Sequence, residues 1–258
     1  MEYRFLLENY SFDDLKTHAL YLADRVGVDG LFLSFDKPSS EIRKLSNEHG
    51  GTPEITVIPN DIGQREMDVG SGLWISATSD KKWRYVASKQ EVNGSPYWLV
   101  NVEFEESTLE SESIIDVFLA LIEQIRPDLA FGYSEFGAPY DIRYFSSDLG
   151  PWAGLRDLYW LNYYGDRYSR LIGIDRIKNV EQITNLEEIK KGVFFTLDKS
   201  LLNNRQEIIS RIGNEYFIRE SISGGAEQSS GFFQLFKTLY HLSKDSNDAI
   251  AKKRPPLD

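Results

Sequence analysis

Cysteine is absent from this 258-residue chain, which excludes disulfide frameworks, thiolate nucleophiles and sulfur-ligated zinc together. Histidine is scarce, and His18, His49 and His241 include no pair with the spacing of metal ligands on a helix or turn. No metal and no cofactor is therefore expected. Long apolar runs are missing too: the longest strictly apolar stretch, Val117 to Ile122, is six residues, against the roughly 20 that a spanning helix needs. Glu2, Arg4 and Glu8 break up the first ten residues, leaving no room for the apolar region of a secretory signal. The expected location is the cytoplasm, and no membrane is expected as a partner. Positive charge is in short supply, with 29 Lys plus Arg against 40 Asp plus Glu and a formal net charge of -11. That balance opposes binding to nucleic-acid phosphates, which requires clustered cations.

What is present is an ordinary globular composition, 41% hydrophobic and 27% charged, in a chain long enough for one large domain or two small ones. The opening reads strand, helix, strand. Tyr3 to Leu7 is a short extended run. Ser11 with Asp14 three residues later is a helix-capping pattern, followed by Phe12, Leu15, Ala19, Leu22 and Val26 at helical intervals. Gly30 to Asp36 reads as a buried strand. A short helix near Glu41 to Glu48 and an extended Ile55 to Pro59 follow, and from Leu73 the pattern turns to β. Asn93-Gly94 lies between alternating runs, a strong hairpin signal. In the second run Trp98, Val100, Val102 and Phe104 face one way, and Asn101, Glu103 and Glu105 the other. A helix is expected from Ser111 or Ser113 to just before Pro127, with Ile114, Phe118, Leu121, Ile122 and Ile125 on one stripe. Leu129 to Tyr133 is again a strand.

Gly150-Pro151 and Gly154 make a connector. The expected division is an α+β half over residues 1–150, carrying the central hairpin, and a second α+β half over 151–258, unless the two form one continuous domain. The second half holds the aromatic segment Tyr159 to Tyr168, an extended Gly192 to Asp198, helices at about Asn203 to Ile212 and Phe232 to Leu242, and a flexible tail. The expected fold class is α+β, a largely antiparallel sheet with helices packed on one face. One internal echo leaves open two similar halves: Gly30-Leu31-Phe32-Leu33-Ser34-Phe35-Asp36-Lys37 matches Gly192-Val193-Phe194-Phe195-Thr196-Leu197-Asp198-Lys199 at Gly, Phe, Asp and Lys. A buried strand ending in a turn reads the same way without any duplication.

No reaction signature emerges. Gly70-Ser71-Gly72 and Gly224-Gly225 lack the Lys-Ser/Thr ending of a phosphate loop, and Ser134 sits between glycines one residue too far apart for a nucleophile elbow. Glu135 and Asp141, close in sequence to Phe136, Tyr140 and Tyr144, are a carboxylate pair of the kind a glycoside hydrolase needs, and turn-region acids beside aromatics are far commoner than that. A binding protein is expected, not an enzyme.

Two features suit binding. Residues 102–128 carry Glu103, Glu105, Glu106, Glu110, Glu112, Asp116, Glu123 and Asp128 against Arg126 alone. Such a run is either a solvated face that keeps the protein soluble or an acidic docking face for a basic partner. Five aromatics then fall within Tyr159-Trp160-Leu161-Asn162-Tyr163-Tyr164-Gly165-Asp166-Arg167-Tyr168, which either pack a core or anchor an interface.

The run Tyr159 to Gly165, followed by Tyr168, by Leu171-Ile172-Gly173 and by the strand opened at Gly192, resembles bacterial polymorphic-toxin immunity proteins of the immunity protein 52 kind and related type VI-associated immunity families. In those families a Trp, an Asn or Thr, an aromatic and a Gly precede a short helix ending in Gly. The resemblance covers residues 150–220 and carries no catalytic residue. It implies a cytoplasmic antidote that occludes a cognate protein toxin. A basic toxin such as a nuclease would be steered by an acidic face, with Glu103, Glu105, Glu106, Glu110 and Glu112 as the steering charges and Tyr163 and Tyr164 as aromatic anchors. The alternatives are a carbohydrate hydrolase built on Glu135 and Asp141, or an inhibitor of a host defence enzyme.

Overall fold

A computed structural model of the chain describes residues 2–8, 10, 14–15, 17–18, 21, 30–35, 54–56, 73–76, 83–92, 95–104, 111–133, 155, 157–198, 200, 204–217 and 239. Their elements mix strands and helices in an α+β architecture. The chain divides into two compact units, Met1–Gly132 and Tyr133–Asp258. The Gly150-Pro151 connector lies outside the described residues.

Among the described residues the strands of the first unit are β1 (Glu2–Glu8), β2 (Gly30–Phe35), β3 (Glu54–Thr56), β4 (Leu73–Ser76), β5 (Trp83–Val92), β6 (Ser95–Phe104) and β7 (Leu129–Tyr133), whose last residue is the first of the second unit, with one long helix, α1 (Ser111–Ile125). β5 and β6 form the hairpin expected at Asn93-Gly94: Val92 pairs with Ser95, and the ladder runs back to Trp83 opposite Phe104. β6 then pairs antiparallel with β1, and the sheet continues to β7. A second sheet has β2 in its centre, parallel to β3 and antiparallel to β4.

The core of this unit forms where β1 meets α1. Tyr3, Phe5 and Leu7 alternate along β1 and are all fully buried, as are Val100 and Val102 of β6. Phe118 of α1 sits against two of these rings, 5.0 Å from Tyr3 and 5.8 Å from Phe5 between centroids. The helical stripe Ile114, Phe118, Leu121, Ile122 and Ile125 is buried as its spacing demands, and Val117 joins it. Burial makes the Tyr3 hydroxyl need a partner, and it donates to the carbonyl of Ile114. The same burial holds its pKa well above the usual phenol value. Near the N-terminus Asp14, Leu15, Thr17, His18 and Tyr21 are helical, with Leu15 buried. The Trp98 indole N–H donates to the Tyr10 carbonyl at 3.1 Å.

The second unit is built on β8 (Leu161–Tyr164), α2 (Asp166–Ile172), α3 (Ile174–Lys178), β9 (Ile183–Ile189), β10 (Gly192–Leu197) and α4 (Arg205–Ile212). β10 is central here, antiparallel to β8 on one side and to β9 on the other. Every residue of β8 and β10 is buried, the pattern of strands covered on both faces. Among the described strands β9 has β10 as its one neighbour in the sheet, and it keeps most of its residues in solvent. Its register slips by one near Asn185, whose φ of 46° marks a bulge. A bulge and exposed charge on an edge strand both discourage pairing with another chain.

The two strands that echo each other in sequence, β2 and β10, are each the middle strand of their group. Their pairing differs, since β2 has one parallel neighbour and β10 has two antiparallel ones. The expected helix near Glu41 to Glu48 lies outside the described residues, as does most of Phe232 to Leu242, where Leu239 alone is described, helical and buried.

Candidate interaction surface

The acidic tract is described in two pieces. Glu103 lies in β6, its backbone opposite Glu2 of β1 and Arg84 of β5. Glu112 lies in the first turn of α1. Glu105, Glu106 and Glu110 lie outside the described residues. Along α1, Asp116 and Glu123 are exposed on the side away from the buried stripe. Glu112, Asp116 and Glu123 stand at i, i+4 and i+11, one face of the helix. No Lys or Arg occurs within α1, so no cation within the helix offsets these carboxylates. Glu123, near the C-terminal end, opposes the helix dipole, a cost of about 0.3–1 kcal/mol at an exposed site. Arg126, exposed at a φ of 50°, is the first cation beyond the helix.

The aromatic segment has a different fate. Tyr163 and Tyr164 were expected as exposed anchors; the structure buries both, at 2% and 0% exposure. Two consecutive strand residues face opposite ways, and both faces of β8 are covered, so neither tyrosine has solvent to reach. Asn162, also fully buried, holds the entry to the strand. Its Oδ1 accepts from the Tyr159 amide at 3.0 Å, and its Nδ2 donates to the Tyr159 carbonyl at 2.6 Å. The Tyr164 ring meets Phe195 edge-on at 5.2 Å. Burial first, with Tyr159 and Asp157 adding to it, raises the Tyr164 pKa well above the ordinary phenol value.

The same segment fixes the far end of the β9–β10 hairpin. The Tyr163 hydroxyl donates to the Ile189 carbonyl at 3.3 Å, and the Ser169 hydroxyl of α2 donates to the Lys191 carbonyl at 3.1 Å. Between them run Lys190 and Lys191, both exposed, with φ of 50° and 73°. Two positive φ values in a two-residue hairpin loop define the primed turn that suits strand twist. Asn-Gly meets that requirement readily, whereas an L-residue with a Cβ costs about 1–2 kcal/mol at each position. Gly165 opens α2 in an extended conformation, and Gly173, at a φ of 94°, ends it while starting α3. This is the short helix closed by glycine that the Leu171-Ile172-Gly173 pattern implied.

Charge inside the unit is paired. Arg176 of α3 is 8% exposed; its guanidinium lies 3.8 Å from the Glu215 carboxylate, donates to the Ile212 carbonyl at the end of α4, and stacks 5.7 Å from the Tyr216 ring centre. Arg205 of α4 meets Asp157 at 2.7 Å. On the surface Lys178 donates to Glu188 at 2.6 Å, which raises the lysine pKa.

Among the described residues no group of three His, Asp or Glu side chains is placed to hold a metal ion, and no helix is long and apolar enough to cross a membrane. His18 is buried at 5% exposure and its ring packs tilted against Tyr10, 5.4 Å between centroids. His49 and the hydrolase candidates Glu135 and Asp141, together with Ser134, lie outside the described residues.

The chain matches no protein-family profile and no curated protein. It is similar in fold to a solved structure of a Pseudomonas aeruginosa T6SS protein, PA0821, at a TM-score of 0.51 and 11% sequence identity. The likeness takes in 100% of this chain and 89% of that one.

Proposed function

We propose that the protein works by binding, as an immunity protein that occupies and neutralises a cognate toxin of a type VI secretion system. The observation that carries this is the whole-length likeness in fold to a T6SS protein. The Tyr159–Gly173 and Gly192 pattern of the immunity families agrees with it. Those residues form the interior scaffold of the second unit, so what the pattern encodes is a fold, and recognition belongs to exposed side chains. The acidic face of α1, with Asp116 and Glu123 in solvent and no cation within the helix, suits a basic toxin and would act chiefly on the rate of encounter. In this reading the protein transforms no substrate and needs no cofactor.

The experiment is co-expression of the full chain with the effector encoded beside its gene, in cells that the effector kills alone. Rescue together with a stoichiometric complex of the purified pair is the expected result. Killing undiminished by the full-length protein, or rescue with no complex, sinks the proposal.

A further inference from the structure

His18 combines deep burial with an unsatisfied ring nitrogen. It lies in the N-terminal helical stretch at 5% exposure, and among the described residues its Nδ1 has no hydrogen-bond partner. A neutral imidazole occupies such a position at modest cost, packing as an aromatic ring does. An imidazolium does not, because both nitrogens then carry protons and the one on Nδ1 is buried with nothing to accept it.

The surroundings give the protonated ring little help. Desolvation lowers the His18 pKa, and Asp14, exposed one turn earlier on the same helical stretch, offsets only part of that. Against the other side lies Tyr10, in ring contact at 5.4 Å. Burial first, then Asp128 and Asp14, raise its phenol to about 12 against a smaller lowering by Arg126. Tyr10 is therefore uncharged wherever a histidine titrates and supplies no counter-charge. β6 contributes Trp98 to this corner, which carries no charge either.

These contacts run in series. The Trp98 indole N–H donates to the Tyr10 carbonyl at 3.1 Å, and the Tyr10 ring packs on His18. Tyr3, Phe5 and Phe118, at the centre of the unit, pack on one another. The corner can thus open while the centre stays closed, the ordinary behaviour of a sub-global unfolding unit.

We propose that His18 is an acid-sensitive latch: neutral, it holds Tyr10 and the N-terminal helical residues against Trp98 of β6, and on taking up a proton it lets them go. A freed histidine binds a proton at its ordinary pKa of about 6.5, whereas the held one resists. Release is therefore negligible well above that pH and grows as the pH falls through it. The latch is independent of the binding function proposed above, and makes access to one corner of the first unit depend on pH.

The test uses the full chain, labelled for NMR, between pH 7.5 and 5.5. Hydrogen exchange at the amides of Leu15, Thr17, His18 and Tyr21, corrected for the intrinsic rate, should quicken severalfold, up to the roughly tenfold limit that a freed histidine allows over this range. Phe5 and Val100 should keep their protection. The Trp98 indole N–H resonance should move with the same midpoint as the His18 imidazole, at a pH below 6.5, and His18→Gln should abolish the movement. The titration of the parent decides the matter even where the variant folds poorly. A His18 imidazole that titrates with no change at Trp98, or protection lost equally at Phe5 and Val100, would overturn the latch, the second outcome being general acid unfolding. The same pH response in a folded His18→Gln variant would also overturn it.

Discussion

Gly192 of β10 lies diagonally across from Tyr163 of β8, two residues from that tyrosine's pairing partner Phe194, and neither tolerates a larger partner. A Cβ built on Gly192 would run into the Tyr163 hydroxyl oxygen and stand 2.6 Å from its ring carbon and 2.6 Å from the Tyr164 carbonyl oxygen. The glycine is thus set by close approach, since a side chain there would displace both the ring and a strand. The aromatic run and the distant glycine, which look like separate features in sequence, are one contact in space.

Gly192→Ala should therefore destabilise the fold by about 1–3 kcal/mol or more, the range for overpacking a closed core. Tyr163→Phe should cost about 1 kcal/mol through the lost bond to the Ile189 carbonyl. Removing the hydroxyl relieves part of the clash, so in urea melts the double variant should be more stable than the sum of the singles predicts. Strict additivity would show that the two residues do not meet.

Phe118 packs on Tyr3 and Phe5 at the centre of the first unit. Phe118→Ala should cost about 3–5 kcal/mol, the usual loss for a buried aromatic. Chemical denaturation of the full chain measures it, and a change under 1 kcal/mol would contradict this position in the core.

His18 is buried, and desolvation lowers its pKa below 6.5 against a smaller opposing effect of Asp14. A histidine held neutral in the folded state favours unfolding once the unfolded chain begins to take up the proton. Its contribution is intact above pH 6.5 and declines as the pH falls from there toward the lowered folded value. Urea midpoints at pH 7.5 and 5.5 should fall more for the parent than for His18→Gln. Equal falls would place the imidazole in solvent.

Arg176 is enclosed by Glu215, the Ile212 carbonyl and the Tyr216 ring. Arg176→Ala should destabilise more than Glu215→Gln, because the alanine also removes the packing of the side-chain stem and leaves the α4 carbonyl without its donor. Thermal melts of the two variants rank them, and the reverse order would refute the arrangement.

Asp116→Lys with Glu123→Lys should leave the melting temperature within a few degrees of the parent, since both side chains are exposed. With the cognate toxin the association rate should fall severalfold at low salt and converge with the parent at high salt. An unchanged rate would remove steering from the role of α1.

The local elements were legible wherever the apolar pattern was unambiguous. Leu129–Tyr133, Gly192–Leu197, the Ser111–Ile125 helix and the hairpin at Asn93-Gly94 all follow from periodicity and turn chemistry. β9 was not foreseen. Its sequence, Ile183-Thr184-Asn185-Leu186-Glu187-Glu188-Ile189, has no period of two, because the bulge at Asn185 shifts the register partway along and the edge position leaves most of the strand in water. The burial of Tyr163 and Tyr164 was equally hidden. A dense aromatic run suits a core and an interface alike, and only the coverage of both faces of β8 separates them.

The sequence by itself determined the α+β class, the hairpin turn at Asn93-Gly94 and the acidic balance, because these follow from neighbours a few residues apart and from simple charge counts. Which tyrosines are interior, why Gly192 must be glycine, and how Tyr163 and Ser169 come to hold a two-lysine turn were decided by tertiary structure alone. Each depends on groups 20 or more residues apart meeting in space, a relationship that local periodicity does not encode.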